Sequence, residues 1–335
     1  MSHSMTIHKR MAIPAIIFCL LAVLVADGAA QGLLKVPVSY TTISGQQAIM
    51  RAVKDAGIFE KNGLDVTLIY MGTGSAIQAL VAKESPIIVS SGVQPINANL
   101  RGTDVVVFIN LADKLDYIFF GGKGVKEGKD LKGGRVAITR FGALSEFGAL
   151  YAVRQLGLQP TDVTLVQIGG QPDRFAALEA GSAQATVLQP PVDLMAREAG
   201  YKALLDLSEV DFKFLATAIA TTRTIVRERP EVIRNFTKAM VDGTHFYKTQ
   251  KEPSIRSIAA YLKMKDRRLL EQSYNFYAAK HPRSPKPTPE SIQSILNYLG
   301  ERDPKARAEK PERFIDASHV EQLETSGYIG KLYGG

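Results

Sequence analysis

Asp65-Val66-Thr67-Leu68 returns 97 residues later as Asp162-Val163-Thr164-Leu165. The match is one of several in the same order. Val36-Pro37-Val38-Ser39 pairs with Val136-Ala137-Ile138-Thr139, Ala52-Val53 with Ala152-Val153, and Gly57 with Gly157, all at a spacing of 100. Gly72 pairs with Gly169, and Gln94-Pro95 with Gln189-Pro190. Matches in order with little drift mean two lobes built on one plan. The period is too long and the copies too few for a solenoid.

Each copy reads as strands alternating with helices. In the first, Leu34–Tyr40, Val66–Tyr70 and Ile87–Ser90 are rich in β-branched residues. Gln46–Ala56 and Ser75–Ala82 carry helical apolar spacing, and Gly57 sits where a helix stops. The second gives strands over Arg135–Thr139 and Val163–Ile168 and helices over Ser145–Leu156 and Asp173–Ala180. This alternation predicts α/β lobes with mainly parallel sheets. Val105–Ala112 and Tyr117–Gly121 are expected to carry the chain from one lobe to the other, and Phe214–Thr221 to bring it back. Helices at Pro230–Tyr247, Ser254–Leu262, Asp266–Ala278 and Pro289–Leu299 are expected to cover lobe one. The expected layout is a leader over 1–30, lobe one over 31–115, lobe two over 116–210, and a return to lobe one over 211–335.

The leader is read from His8-Lys9-Arg10, the apolar run Met11–Val25 and the small residues Gly28-Ala29-Ala30. That run is short for a membrane span, and the pattern predicts an exported chain cut after Ala30. The sole cysteine, Cys19, falls inside it, so a mature chain has no disulfide or cysteine-ligated metal. Lys and Arg number 41 against 33 Asp and Glu. The excess is spread along the chain with no like-charged block and no basic-aromatic stripe, so no nucleic-acid partner is expected. Hydrophobic residues at 45% exclude a disordered chain.

Several chemistries lack their residues. His245, His281 and His319 are in no metal-ligand spacing. No G-x-S-x-G elbow or Walker motif occurs. Gly72-Thr73-Gly74-Ser75-Ala76-Ile77 begins like a dinucleotide turn but has Ile77 in place of the third glycine. What recurs instead is a set of small polar turns after strands, where free N–H groups and the helix dipole favour anions. The candidate ligand residues are Thr41, Thr42 and Ser44 after the first strand, Gly74 and Ser75 after the second, and Ser91 and Gly92 after the third. In lobe two they are Arg140, Phe141, Gly142 and Ser145. Arg140 is the one cation within these turns and suits a forked contact with carboxylate or sulfonate. Ser75, Ser145 and Asp173 could equally be helix caps, and Tyr40 and Tyr117 are weaker candidates.

Gly57-Ile58-Phe59-Glu60-Lys61-Asn62-Gly63-Leu64-Asp65-Val66 resembles a signature of substrate-binding proteins of ABC importers, in the group for sulfonates, taurine, nitrate and thiamine pyrimidines. Asp130-Leu131-Lys132-Gly133-Gly134-Arg135-Val136-Ala137 is similar to that group's approach to lobe two. Arg229-Pro230-Glu231-Val232-Ile233-Arg234-Asn235-Phe236 resembles its helix after the return. The resemblance implies a type II periplasmic-binding-protein fold with a ligand trapped between lobes. It also implies a monomeric periplasmic binder, not an enzyme, without cofactor, that hands a small molecule to an ABC permease. A small organic anion is favoured, and a neutral pyrimidine or aromatic compound is the alternative. A periplasmic enzyme or a sensor partner on the same fold is the rival of another class.

Overall fold

The computed structural model describes residues 1–2, 32–211 and 213–334, and Leu34–Gly335 form one unit. The expected export segment, with its basic start, apolar run and Cys19, lies outside the described residues. Ten strands form two five-stranded sheets. The first holds β1 (Leu34–Tyr40), β2 (Leu64–Tyr70), β3 (Ile87–Ser90), β4 (Val105–Ala112) and β10 (Thr217–Thr222), in the order β2-β1-β3-β10-β4. The second holds β5 (Ile118–Gly121), β6 (Arg135–Ile138), β7 (Thr164–Gln167), β8 (Ala185–Leu188) and β9 (Lys202–Asp206), in the order β7-β6-β8-β5-β9.

The two orders are the same pattern, which bears out the α/β class and the repeat. β1 runs parallel to both β2 and β3, as β6 does to β7 and β8. Each sheet also takes in one antiparallel strand, β10 between β3 and β4, and β5 between β8 and β9. These two strands are the ones that arrive from the other lobe. The linkers thus run through Asp113–Tyr117 and through the stretch between β9 and β10, each joining the edge strand of one sheet to the strand next to the edge of the other. β9 was not anticipated: Lys202–Asp206 is a short edge strand with a polar end and carries little periodicity.

Local signals placed the elements well. The helix Ala48–Asp55 buries Ile49, Met50, Ala52 and Val53, and Gly57 ends it at φ 65°, a left-handed value that favours glycine. All eight residues of β4 are buried, as expected for a strand covered on both faces. Its free edge is closed by Asp316, whose N–H donates to the Val107 carbonyl at 2.9 Å.

The C-terminal helices do cover lobe one. Phe236 of the helix Pro230–Thr249 stacks on Phe59 at 5.3 Å between ring centres, and fully burying such a ring contributes about 1.5–3 kcal/mol. They also reach lobe two. Tyr298 meets Phe147 edge-on at 4.7 Å, Arg154 pairs with Glu301 at 2.6 Å, and Arg302 pairs at 2.9 Å with Glu146.

Candidate functional site

The carboxyl ends of the parallel strands of both sheets open onto one cavity of about 520 Å3. Strand ends are where α/β sheets bind ligands, because backbone groups and helix starts are left free there. From lobe one, the wall is the turn Thr41-Thr42-Ile43-Ser44, then Gln46 and Gln47, with Tyr70 ending β2, Ser91 and Gln94 after β3, and Thr217 opening β10. Gly45 lets this turn approach the other lobe: a Cβ there would lie 2.5 Å from the Tyr277 ring and 2.7 Å from the Pro190 carbonyl.

From lobe two come Thr139, Arg140, Leu144 and Ser145 after β6, and Gly169 to Arg174 after β7. Gln189, Pro191 and Val192 follow β8, and Leu262 and Met264 close one side. Much of the polar wall is held in place by bonds to itself. Ser145 accepts a hydrogen bond through Oγ from the Thr139 N–H at 2.9 Å, and Gln189 N–H donates to Gln171 Oε1 at 2.6 Å. Gln171 Nε2 in turn donates to Gln189 Oε1 at 3.1 Å. Thr217 donates to Gln46, and Gln47 Oε1 is buried with no hydrogen-bond partner.

Two arginines dominate the electrostatics. Arg174 is 1% exposed. Its guanidinium donates to the Gly169 carbonyl at 2.9 Å, to the Val187 carbonyl at 3.0 Å and to Thr139 Oγ1. These acceptors are neutral, and its Nε, also buried, has no partner. Burial pulls its pKa down, while Tyr117 and Asp173 oppose that. Asp173 is turned to its own helix start, accepting from the Gly170 N–H at 3.0 Å. Arg140 is half-buried, and its guanidinium makes no hydrogen bond or ion pair with any described residue; burial lowers its pKa as well, against the influence of Tyr70. A buried guanidinium without a carboxylate is a costly arrangement that a bound anion relieves.

Behind the wall sit two buried acids. Asp116, on the linker into β5, accepts from Gln189, and burial pushes its pKa up to about 6. Burial raises Asp193, beside the same wall, to about 6. Among the described residues no group of three or more His, Cys, Asp or Glu is placed to hold a metal.

Of the eleven candidates, Thr41, Thr42, Ser44, Ser91, Arg140 and Ser145 line the cavity. Gly74, Ser75, Gly92, Phe141 and Gly142 do not. Gly74 and Ser75 lie exposed on the helix Thr73–Val81. Gly92 makes room for Leu215, whose carbonyl would be 2.7 Å from a Cβ. Gly142 spends its N–H on Glu146 at 2.7 Å, and Phe141 is exposed, its N–H donating to Gln167 Oε1 at 2.9 Å. Sequence reasoning missed Gln46, Gln47, Arg174, Thr217 and Met264. A signal for Arg174 exists: with Gln171, Phe175 and Leu178 it occupies the i, i+3, i+4, i+7 stripe of its helix, the buried face.

The chain matches the NMT1/THI5 like family over residues 46–253. Among curated proteins none matches significantly. A structure from Bordetella bronchiseptica RB50 aligns at 18% identity with a TM-score of 0.75, covering 87% of this chain and 97% of that one. The periplasmic aliphatic sulphonate binding protein SsuA of Escherichia coli aligns at 18% identity and TM-score 0.67, covering 84% and 98%. The periplasmic nitrate-binding protein NrtA of Synechocystis PCC 6803 aligns at 14% and 0.67, covering 88% and 89%. These likenesses establish the periplasmic-binding-protein fold. The family match takes in well over half of the sequence, and the chain belongs to the NMT1/THI5-like family.

Proposed function

We propose that this chain is an exported solute-binding protein that captures a small organic anion, a sulfonate or carboxylate, and delivers it as a monomer to an ABC permease. The observation that carries the reading is the pair Arg140 and Arg174, which face one cavity with no carboxylate in their hydrogen bonds. Apart from Asp173, the other polar wall groups are amides, hydroxyls and backbone N–H, which orient an anion without adding charge. Binding rather than catalysis fits this set, since the acid in the wall, Asp173, is engaged in a helix cap. The names of SsuA and NrtA, a sulphonate and a nitrate binder, support an anionic cargo and a periplasmic location.

Thermal-shift titration tests the reading. A ligand held only by the native state raises the melting temperature with concentration. Carboxylates and sulfonates should do so, and their uncharged amides and sulfonamides should not. A neutral pyrimidine as the tightest ligand overturns the anion assignment.

A further inference from the structure

Among the described residues seven large hydrophobic side chains are exposed: Met1, Leu33, Ile43, Tyr70, Val81, Phe141 and Ile168. Single exposures need no explanation. Two of these line the cavity, and two more stand next in sequence to lining residues. Ile43 and Tyr70 line the cavity itself, 49% and 57% exposed. Phe141 follows the lining residue Arg140, and Ile168 precedes the lining residue Gly169. They fall in corresponding turns of the two lobes: Ile43 and Phe141 in the turns after β1 and β6, Tyr70 at the end of β2 and Ile168 just past the end of β7. The bond from the Phe141 N–H to Gln167 keeps the two lobe-two turns side by side.

The cavity of about 520 Å3 falls within the roughly 300–1,000 Å3 that encloses drug-sized molecules. A nitrate or a one-carbon sulfonate would leave most of it, and the whole apolar rim, to water. Both arginines belong to the lobe-two wall, with Arg174 buried, whereas the exposed Ile43 and Tyr70 belong to the lobe-one wall. A ligand matching this has an anionic head and an apolar body. Tyr70 adds an aromatic face to the wall, and the exposed Phe141 stands next to the lining residue Arg140; aromatic faces prefer a flat ring to a flexible chain. Arg140 and Tyr70 belong to opposite lobes and line the same cavity, so a ring-borne acid can meet both.

Building on the anion reading above, we propose that the cleft takes an aryl acid, a carboxylate or sulfonate on an aromatic body that packs between Tyr70 and Phe141 while its head meets Arg140 and Arg174. Calorimetry on matched compounds decides it: benzoate, benzenesulfonate and naphthalene-2-sulfonate, their methyl counterparts acetate and methanesulfonate, and neutral benzamide. The aryl acids should bind more than about tenfold tighter than the methyl acids, since a buried ring removes over 100 Å2 of apolar surface from water. Their binding should also show a negative heat-capacity change. Tyr70→Ala and Phe141→Ala should shrink the aryl-to-methyl ratio, whereas Arg140→Ala should weaken both kinds together and leave the ratio standing. Equal affinity for methyl and aryl acids, or no aryl acid binding at millimolar concentration, overturns the inference while leaving the anion reading intact where the methyl acids bind. Benzamide binding as tightly as benzoate overturns the anion reading itself.

Discussion

Replacing Arg140 by Ala separates an anion site from a packing role, because the guanidinium makes no hydrogen bond or ion pair with any described residue. In the unliganded protein the substitution removes a half-desolvated charge and no internal bond. The melting temperature should therefore stay within a degree or two or rise slightly. In the complex it removes a charge-assisted contact of about 1.5–3 kcal/mol, so calorimetry should show affinity for the tightest carboxylate or sulfonate falling roughly tenfold to a hundredfold. Arg174 gives the contrast. Its three bonds to Thr139, Gly169 and Val187 are internal. Arg174→Met leaves three acceptors without their donor, at about 1–3 kcal/mol for each one left buried and unpaired. The unliganded protein should then melt many degrees lower, with binding lost as well. The double variant should lose less affinity than the two single losses combined, since both cations act on one head group. Undiminished affinity in Arg140→Ala would refute the assignment of Arg140 to the site. A large drop in its unliganded melting temperature would show that the side chain serves packing.

Asp116→Asn should stabilise the protein at pH 8 and have little effect at pH 4, as read by thermal melts. A carboxyl raised from 3.8 to about 6 in the fold is neutral in both states at low pH. Its penalty grows from about pH 4 to 6 and stays constant above, at on the order of 3 kcal/mol; equal shifts at both pH values would contradict this. Phe147→Ala removes a ring stacked on Phe214 at 4.1 Å and met edge-on by Tyr298, and chemical denaturation should show a loss of about 3–5 kcal/mol. A tight ligand touching both lobes should reduce the radius of gyration in solution scattering, through rotation at the two linkers. An unchanged profile at saturation means a rigid cleft. If the chain is exported as proposed, mass spectrometry of the periplasmic fraction should find it beginning near Gln31, and intact Met1 would refute the cleavage.

The repeat was legible because strand ends and helix stops are written locally. β3 was read at its observed bounds, and so was the helix Pro289–Leu299. β-branched runs, a proline at a helix start and a glycine past a helix end act within a few residues of themselves. The insertion of β10 between β3 and β4 depends on pairing across more than 100 residues of sequence, and nothing near Thr217–Thr222 records which strands flank it. The same division runs through the site. Thr41, Ser44, Ser91 and Arg140 line the cavity because strand ends are local features and the parallel strands of a sheet end at one edge.

The candidates outside the cavity have a different cause. A glycine after a strand does not say what it serves: at Gly92 a close approach by Leu215 requires it, whereas at Gly142 a φ of +76° does and nothing lies within 4 Å of a Cβ. The residue type is the same whether the approaching group is a ligand, a side chain or the other lobe. Arg174 fails in the opposite direction. A charge is ordinarily read as facing water, and its place on the buried stripe of Gln171–Glu179 outweighs that habit. The cation hidden by its own charge is the more telling of the two arginines. A surface arginine needs no partner, whereas one that is 1% exposed with only neutral acceptors persists against a desolvation cost. Its place in the wall of the same cavity as the exposed Tyr70 is what gives the proposed site its sign.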